Sequence, residues 1–137
     1  MTIVGADEGT VYRVVGDHVR VLASGDAYEV FEVHGPENSG PPMHMHPWTE
    51  AYFVIAGEVD VIVGDRTMRA MPGSFVSIPA GTVHSYRILS SGAKFLVVTS
   101  PGAGAFFEEM ERETQGSCED MAAVVRVASR HSVRVAR

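Results

Sequence analysis

Two short stretches of this chain gather histidine and carboxylate side chains: His44, His46 and Glu50 lie within P-P-M-H-M-H-P-W-T-E, and His84 closes I-P-A-G-T-V-H. Three imidazoles and one carboxylate are a donor set for a borderline divalent cation that keeps one or two coordination positions open for a reactant. Side chains alternate along a strand, so His44 and His46 face the same side, roughly 7 Å apart. Glu50 has the same parity, and the bend at Pro47 lets its carboxylate turn towards the same point. His84 has to arrive from a different strand, steered inward by Pro79 and Gly81. Fe(II), Mn(II), Ni(II), Cu(II), Co(II) and Zn(II) all suit these donors, and ligand type alone does not choose among them. Glu50 has two open roles: a permanent ligand, or a group that loosens and acts as general base on a bound substrate.

The elements that must hold these groups are strands. Runs rich in Val, Ile, Tyr and Phe alternate at short intervals with Gly, Pro, Asn and Asp, the pattern of an antiparallel sandwich or barrel and not of βαβ units. Strands are predicted over Val11 to Val15, Val19 to Ala23, Tyr28 to His34, Ala51 to Ile55, Val59 to Val63, Arg66 to Ala70, Ser74 to Ile78, His84 to Leu89 and Phe95 to Thr99. Gly64 and Asp65 supply a two-residue hairpin turn, and Pro72 and Gly73 a second corner. The segment E-N-S-G-P-P, from Glu37 to Pro42, is a loop that delivers the chain into the first histidine cluster.

Beyond Pro101 the pattern becomes helical. A-F-F-E-E-M-E-R-E places Phe106, Phe107 and Met110 on one stripe, so a helix is expected on the outside of the sheet. Ser117 is the expected N-cap of a second helix, with Glu119 and Asp120 in its first turn and Met121, Val124, Val125 and Ala128 on its apolar side. A last short strand is expected over Val133 to Val135. Arg126, Arg130, Arg134 and Arg137 concentrate positive charge there, and the spacing of the first two reads as a solvated helix face.

At 137 residues the chain suits one domain with a core large enough to need no disulfide. The single cysteine, Cys118, has no partner within the chain, which fits a reducing compartment, and a structural thiol is the expectation for it. A net charge of −6 argues against a general affinity for nucleic acid, which rests on clustered cations. M-T-I-V-G-A-D-E carries no basic leader, and no apolar run is long enough to span a bilayer, so a soluble cytoplasmic protein is expected. His18, His34 and His131 fit neither cluster and are read as surface or strand residues.

Taken together the clusters resemble a known pair of motifs. His44-x-His46-x3-Glu50-x6-Gly57 is similar to the first motif of the cupins, and Gly73-x5-Pro79-x-Gly81-x2-His84 is similar to the second. The short interval between Gly57 and Gly73 matches small bacterial cupins. The resemblance implies an all-β fold, a jelly-roll double-sheet barrel with a short C-terminal helical extension. One divalent metal would be held in its mouth by His44, His46, Glu50 and His84, and homodimers are implied, with Val11 to Val33 contributing an interface. In domain terms this is a barrel over 1–101, with metal motifs in 38–57 and 73–88, and an extension over 102–137 packed on it. Two positions depart from the pattern: Asn38 stands where a glycine is usual, and Ile88 where an asparagine is usual, which suggests a more apolar wall. The tail, P-G-A-G-A-F-F-E-E-M followed by A-S-R-H-S-V-R-V, resembles single-domain cupins similar to quercetin dioxygenase.

Parity extends the site. Tyr52 and Val54 share the face of Glu50, and Tyr86 and Ile88 that of His84, giving an apolar pocket with two phenols; Val54 and Ile88 suit ordinary barrel core equally well. Trp48, in the bend between ligands, suits either stacking on a planar substrate at the rim or packing under a loop. The leading expectation is a metal-dependent oxygenase, dioxygenase-like, acting on a small organic substrate, with Fe(II) or Mn(II) favoured. Two alternatives stay open: non-redox isomerase, cyclase or lyase chemistry on a Lewis-acid ion, and a non-catalytic small-molecule binding or sensing domain.

Overall fold

A computed structural model describes residues 1–89 and 91–136. Arg137, the last of the four arginines of the expected basic concentration, lies outside the described residues. Eleven strands and two helices follow in chain order: β1 Val11–Val14, β2 Asp17–Ser24, β3 Glu29–Gly35, β4 His44–Met45, β5 Glu50–Ala56, β6 Val59–Val63, β7 Arg66–Ala70, β8 Phe75–Ile78, β9 His84–Ile88, β10 Ala93–Thr99, α1 Ala103–Thr114, α2 Met121–Arg130 and β11 Arg134–Val135. The strands form two antiparallel sheets, β1-β2-β3-β10-β5-β8 and β11-β4-β9-β6-β7. This is the antiparallel architecture that the strand spacing predicts and the jelly-roll arrangement that the resemblance to cupins implies.

Strict alternation drives the closure. Along β10 every second residue is buried, from Ala93 through Phe95 and Val97 to Thr99, and β3 repeats the pattern. The inner faces meet in one core, to which the larger sheet gives Phe31, Tyr52, Val54 and Phe95 and the smaller gives Val59, Val61 and Ile88. Because the period is two, a one-residue slip would turn these side chains outward, so burial itself fixes the register.

Two glycines let the chain make approaches that no side chain permits. At Gly40 an added Cβ would stand 1.9 Å from the Tyr86 carbonyl oxygen, because the loop before β4 crosses directly over β9. Asn38 holds a φ of 68° just before it, and its N–H donates to the Ile88 carbonyl at 2.8 Å. Asparagine tolerates that left-handed backbone, so it serves where glycine is usual. Gly57 has a φ of 74°, and a Cβ there would meet the Gly92 carbonyl oxygen at 2.3 Å. Gly57→Ala therefore combines left-handed strain of about 1–2 kcal/mol with overpacking of about 1–3 kcal/mol. The expected result is a urea midpoint lowered in proportion, with an unchanged slope.

The C-terminal elements correct three expectations. First, α1 does not lie on the outside of the sheet. Phe106, Phe107 and Met110 turn into the same cavity as barrel residues, and Phe107 meets Phe31 edge-on at 5.1 Å. The apolar stripe was legible, but it packs towards the cavity side, against core residues such as Phe31, instead of on the outer face of a sheet. Second, the N-cap of α2 is Asp120 and not Ser117: the Asp120 carboxylate accepts from the Ala123 N–H at 3.1 Å. Ser117 accepts from the Glu119 N–H at 3.1 Å and so shapes the preceding turn. Third, the buried side of α2 is Ala123, Val124, Val127 and Ala128, with Met121 exposed; the alanines allow closer packing than the expected stripe would. Arg130 is paired as well as solvated, reaching Glu109 at 2.5 Å and Glu113 at 3.4 Å. The final strand forms and pairs Arg134 with Met45 and Val135 with His44. No described helix is long and apolar enough to cross a membrane.

Candidate metal centre

The four residues come from four places. His44 lies on β4, directly opposite His84 on β9. His46 follows β4 in a segment tied down by the Gly81 N–H, which donates to its carbonyl at 2.9 Å. Glu50 opens β5 in the other sheet. The site is thus built between the sheets, with His46, Glu50 and His84 buried and His44 half-buried.

Each imidazole is fixed by one backbone carbonyl. Nδ1 lies 2.9 Å from Pro42 O in His44, 2.9 Å from Trp48 O in His46 and 2.8 Å from Thr82 O in His84. A carbonyl can only accept, so in all three rings Nδ1 carries a hydrogen and donates. That leaves the three Nε2 atoms as the groups that face one another. One ligand atom from each of the three histidines falls within a cluster no wider than 4.8 Å. Glu50 Oε2 sits 2.6 Å from Nε2 of His46 and 3.2 Å from Nε2 of His84. Orienting a ligating imidazole through its second nitrogen is how proteins fix metal-binding histidines. Three such nitrogens facing an anionic carboxylate, in a pocket that withholds water, fit a divalent cation.

The electrostatics agree. Burial pushes the Glu50 carboxyl up, but hydrogen bonds from His46 and His84 and their charge outweigh it and hold the group at about 2. Glu50 is therefore anionic throughout the neutral range. Burial and the neighbouring His84 bring His44 down to about 4, which keeps it neutral and ready to donate a lone pair. For His84 burial disfavours the cation, yet the hydrogen bond and charge of Glu50 win and raise it above its ordinary value.

His44, His46 and Glu50 open onto a cavity of at most about 800 Å³, its mouth to solvent included. Trp48, Tyr52 and Tyr86 are in its wall, with aliphatic and aromatic side chains from both sheets and both helices. Burial, and after it the Glu50 charge, keep the Tyr52 phenol well above its ordinary value; burial and then Asp17 do the same for Tyr86. Both phenols thus remain hydrogen-bond donors. Val54 and Ile88 take the deeper of the two positions open to them. Val54 faces a second, smaller hollow and Ile88 is fully buried among the core. Trp48 is buried and stacks on His46 at 4.5 Å with 10° between the planes, with Phe106 against it at 5.7 Å. It braces a histidine of the cluster under the start of α1.

Asp17, at the start of β2 and outside both motifs, also lines the cavity, and its carboxylate accepts from the Tyr86 hydroxyl at 2.5 Å. His18 and His34 stack on the exposed face at 4.9 Å, and His131 joins Glu109 on α1. All three stand apart from the cluster.

Fold and site define a class. The cupin domain family matches residues 29–99, just over half of the chain, and this protein belongs to that family. Among characterised proteins it is similar to quercetin 2,3-dioxygenase of Bacillus subtilis, 30% identical over 81 residues that make up 58% of this chain and 24% of that protein. It is also similar to the dimethylsulfoniopropionate lyase DddQ of Ruegeria pomeroyi, 35% identical over 63 residues, 45% of this chain and 31% of the lyase. The chain thus spans a third or less of the length of these curated relatives. Among solved structures, the polyketide cyclase RemF of Streptomyces resistomycificus superposes with a TM-score of 0.65 at 25% identity, over 72% of this chain and 78% of the cyclase.

Proposed function

We propose that this chain is a mononuclear divalent-metal cupin that performs oxygenase chemistry on a small organic substrate. The observation that carries the reading is the convergence of three carbonyl-oriented histidines and the Glu50 carboxylate at the edge of a mostly apolar cavity. His44, His46 and His84 would hold the ion through Nε2, with Glu50 as the fourth donor. Fe(II) or Mn(II) bound there supplies a Lewis acid and a redox centre, and Ni(II), Co(II), Cu(II) or Zn(II) satisfies the same donors. The apolar wall withholds water from the reacting groups. Glu50 would serve as general base only once it loosens from His46 and His84, whose hydrogen bonds hold its carboxyl low. Tyr52, which stays protonated, orients a substrate oxygen by donating to it, while the Tyr86 hydroxyl hydrogen is already taken by Asp17.

A non-redox isomerase, cyclase or lyase reaction is the second reading, supported by the likeness to the cyclase and to the lyase. An oxygen electrode separates them. With the metal-loaded protein and a panel of hydroxylated aromatics that includes a flavonol, stoichiometric oxygen uptake is expected. Turnover that proceeds equally without oxygen contradicts the oxygenase reading. Saturable binding without turnover of any panel member reduces the protein to a binding domain.

We further propose that barrel and extension fold as one unit in the cytoplasm and that two copies associate. The edge strand β1 has one unpaired side, and Val11 and Tyr28 are exposed along the N-terminal segment, where a sheet edge needs cover. Sedimentation equilibrium at the mass of two chains is the expected result.

A further inference from the structure

The segment that matches the cupin family, residues 29–99, holds the whole histidine cluster, but it does not complete the cavity beside it. Part of the apolar wall comes from outside that segment: Val14 of β1, Phe106 and Met110 of α1, and Val124 and Ala128 of α2. Helix α1 carries the wall onward from the cluster. Phe106 stands against Trp48 at 5.7 Å, and Trp48 stacks on His46; Met110 follows one turn later, about 6 Å further along the helix axis. The helix is tied down on both sides of these residues. Before them, the Glu29 carboxylate of β3 accepts from the Gly102 and Gly104 N–H groups at 3.0 and 3.1 Å. After them, the Glu111 carboxylate accepts from the Arg13 N–H of β1, and the Gly116 carbonyl accepts from the Gly16 N–H at 3.1 Å.

This wall offers no cation. Among the described residues no Lys or Arg lines the cavity, and the carboxylates that do are those of Asp17 and Glu50. A second ionised group on a ligand would lose its hydration there without gaining a partner, and an anion would also face two carboxylates. We propose that the C-terminal extension sets the specificity of this site. Met110 and Ala128 bound a subsite for the uncharged, apolar body of a substrate whose one polar end, a hydroxyl, lies at the histidine cluster. This rests on the reading of the cavity as the substrate site and narrows its substrate class. Both side chains are buried and both face the cavity, so each sets its length in an opposite sense. Ala128 presents only a methyl group, and a larger residue there takes volume from the ligand, whereas shortening Met110 adds volume.

Calorimetric titration of the full chain with para-substituted phenols tests this: phenol, 4-ethylphenol, 4-butylphenol, 4-hexylphenol and 3-(4-hydroxyphenyl)propionate. From phenol to 4-butylphenol each added methylene should tighten binding about fourfold. The propionate, similar in size to 4-butylphenol but anionic at the far end, should bind at least about tenfold more weakly than it. Ala128→Leu should weaken 4-butylphenol by about tenfold and leave phenol within about twofold. Met110→Ala should raise the preference for 4-hexylphenol over 4-butylphenol by about tenfold relative to wild type. Should one variant not fold, the other carries the test. A flat alkyl series, a propionate that binds as tightly as 4-butylphenol, or a wild-type profile retained in the folded variants would overturn the proposal. Metal content is measured on the same preparations. A wild type that fails to load metal removes the metal-enzyme reading, whereas the probe series judges the extension independently.

Discussion

His84→Ala should lower divalent-metal affinity by more than about a hundredfold, beyond the 10- to 100-fold typical of losing an outer partner of a ligand. His84 is fully buried, and its Nδ1 is anchored to Thr82 O, so no neighbouring group can swing into its place. The loss is twofold. One of three nitrogen donors disappears, and Glu50 Oε2 keeps only the contact to His46 at 2.6 Å, so the carboxylate is less well positioned. Competition with a chromogenic chelator reads the affinity directly. His18→Ala and His34→Ala, on the exposed face, should leave it within about twofold; a comparable loss in them would mean that metal binds at a different cluster.

Phe95→Ala should be the most damaging of the core truncations, at about 3–5 kcal/mol. Phe95 is 1% exposed and stands on β10 between β3 and β5, the middle of the larger sheet. Its ring meets Tyr52 at 5.3 Å and Tyr86 at 5.2 Å, both edge-on. Removing it opens a void under both phenols, and the antiparallel pairing on either side prevents β10 from moving in to fill it. A melting temperature lower by about 10 °C is the expected reading for a chain of this length. Met71→Ala, at a residue that is 52% exposed, should stay within about 0.5 kcal/mol of wild type.

These effects trace back to residues of unequal legibility. The barrel and the histidine cluster could be read because strand alternation is local: His44 and His46 face one side whatever the rest of the chain does, and the glycines and prolines around His84 announce its turn. Parity put Val54 and Ile88 on an inner face correctly, but it gives no depth along the barrel, so it could not distinguish cavity wall from core. Asp17 was invisible for a different reason. Its partner Tyr86 is 69 residues away in the opposite sheet, and an aspartate beside a glycine in a short turn has the composition of any surface loop. The capping of α2 was ambiguous because Ser117 and Asp120 are both good N-caps, three residues apart. The amphipathic stripe of α1 was plain in the sequence, whereas the surface it covers depends on residues far away in the chain, such as Phe31 against Phe107.

The central claim is that His44, His46, Glu50 and His84 form one metal site, and elemental analysis of the protein purified without added metal, before and after anaerobic reconstitution, tests it most directly. One divalent ion per chain is expected in the wild type and less than stoichiometric metal in His84→Ala. A wild-type protein that is folded, yet takes up no Fe(II), Mn(II), Ni(II), Co(II), Cu(II) or Zn(II) on reconstitution, would contradict the account.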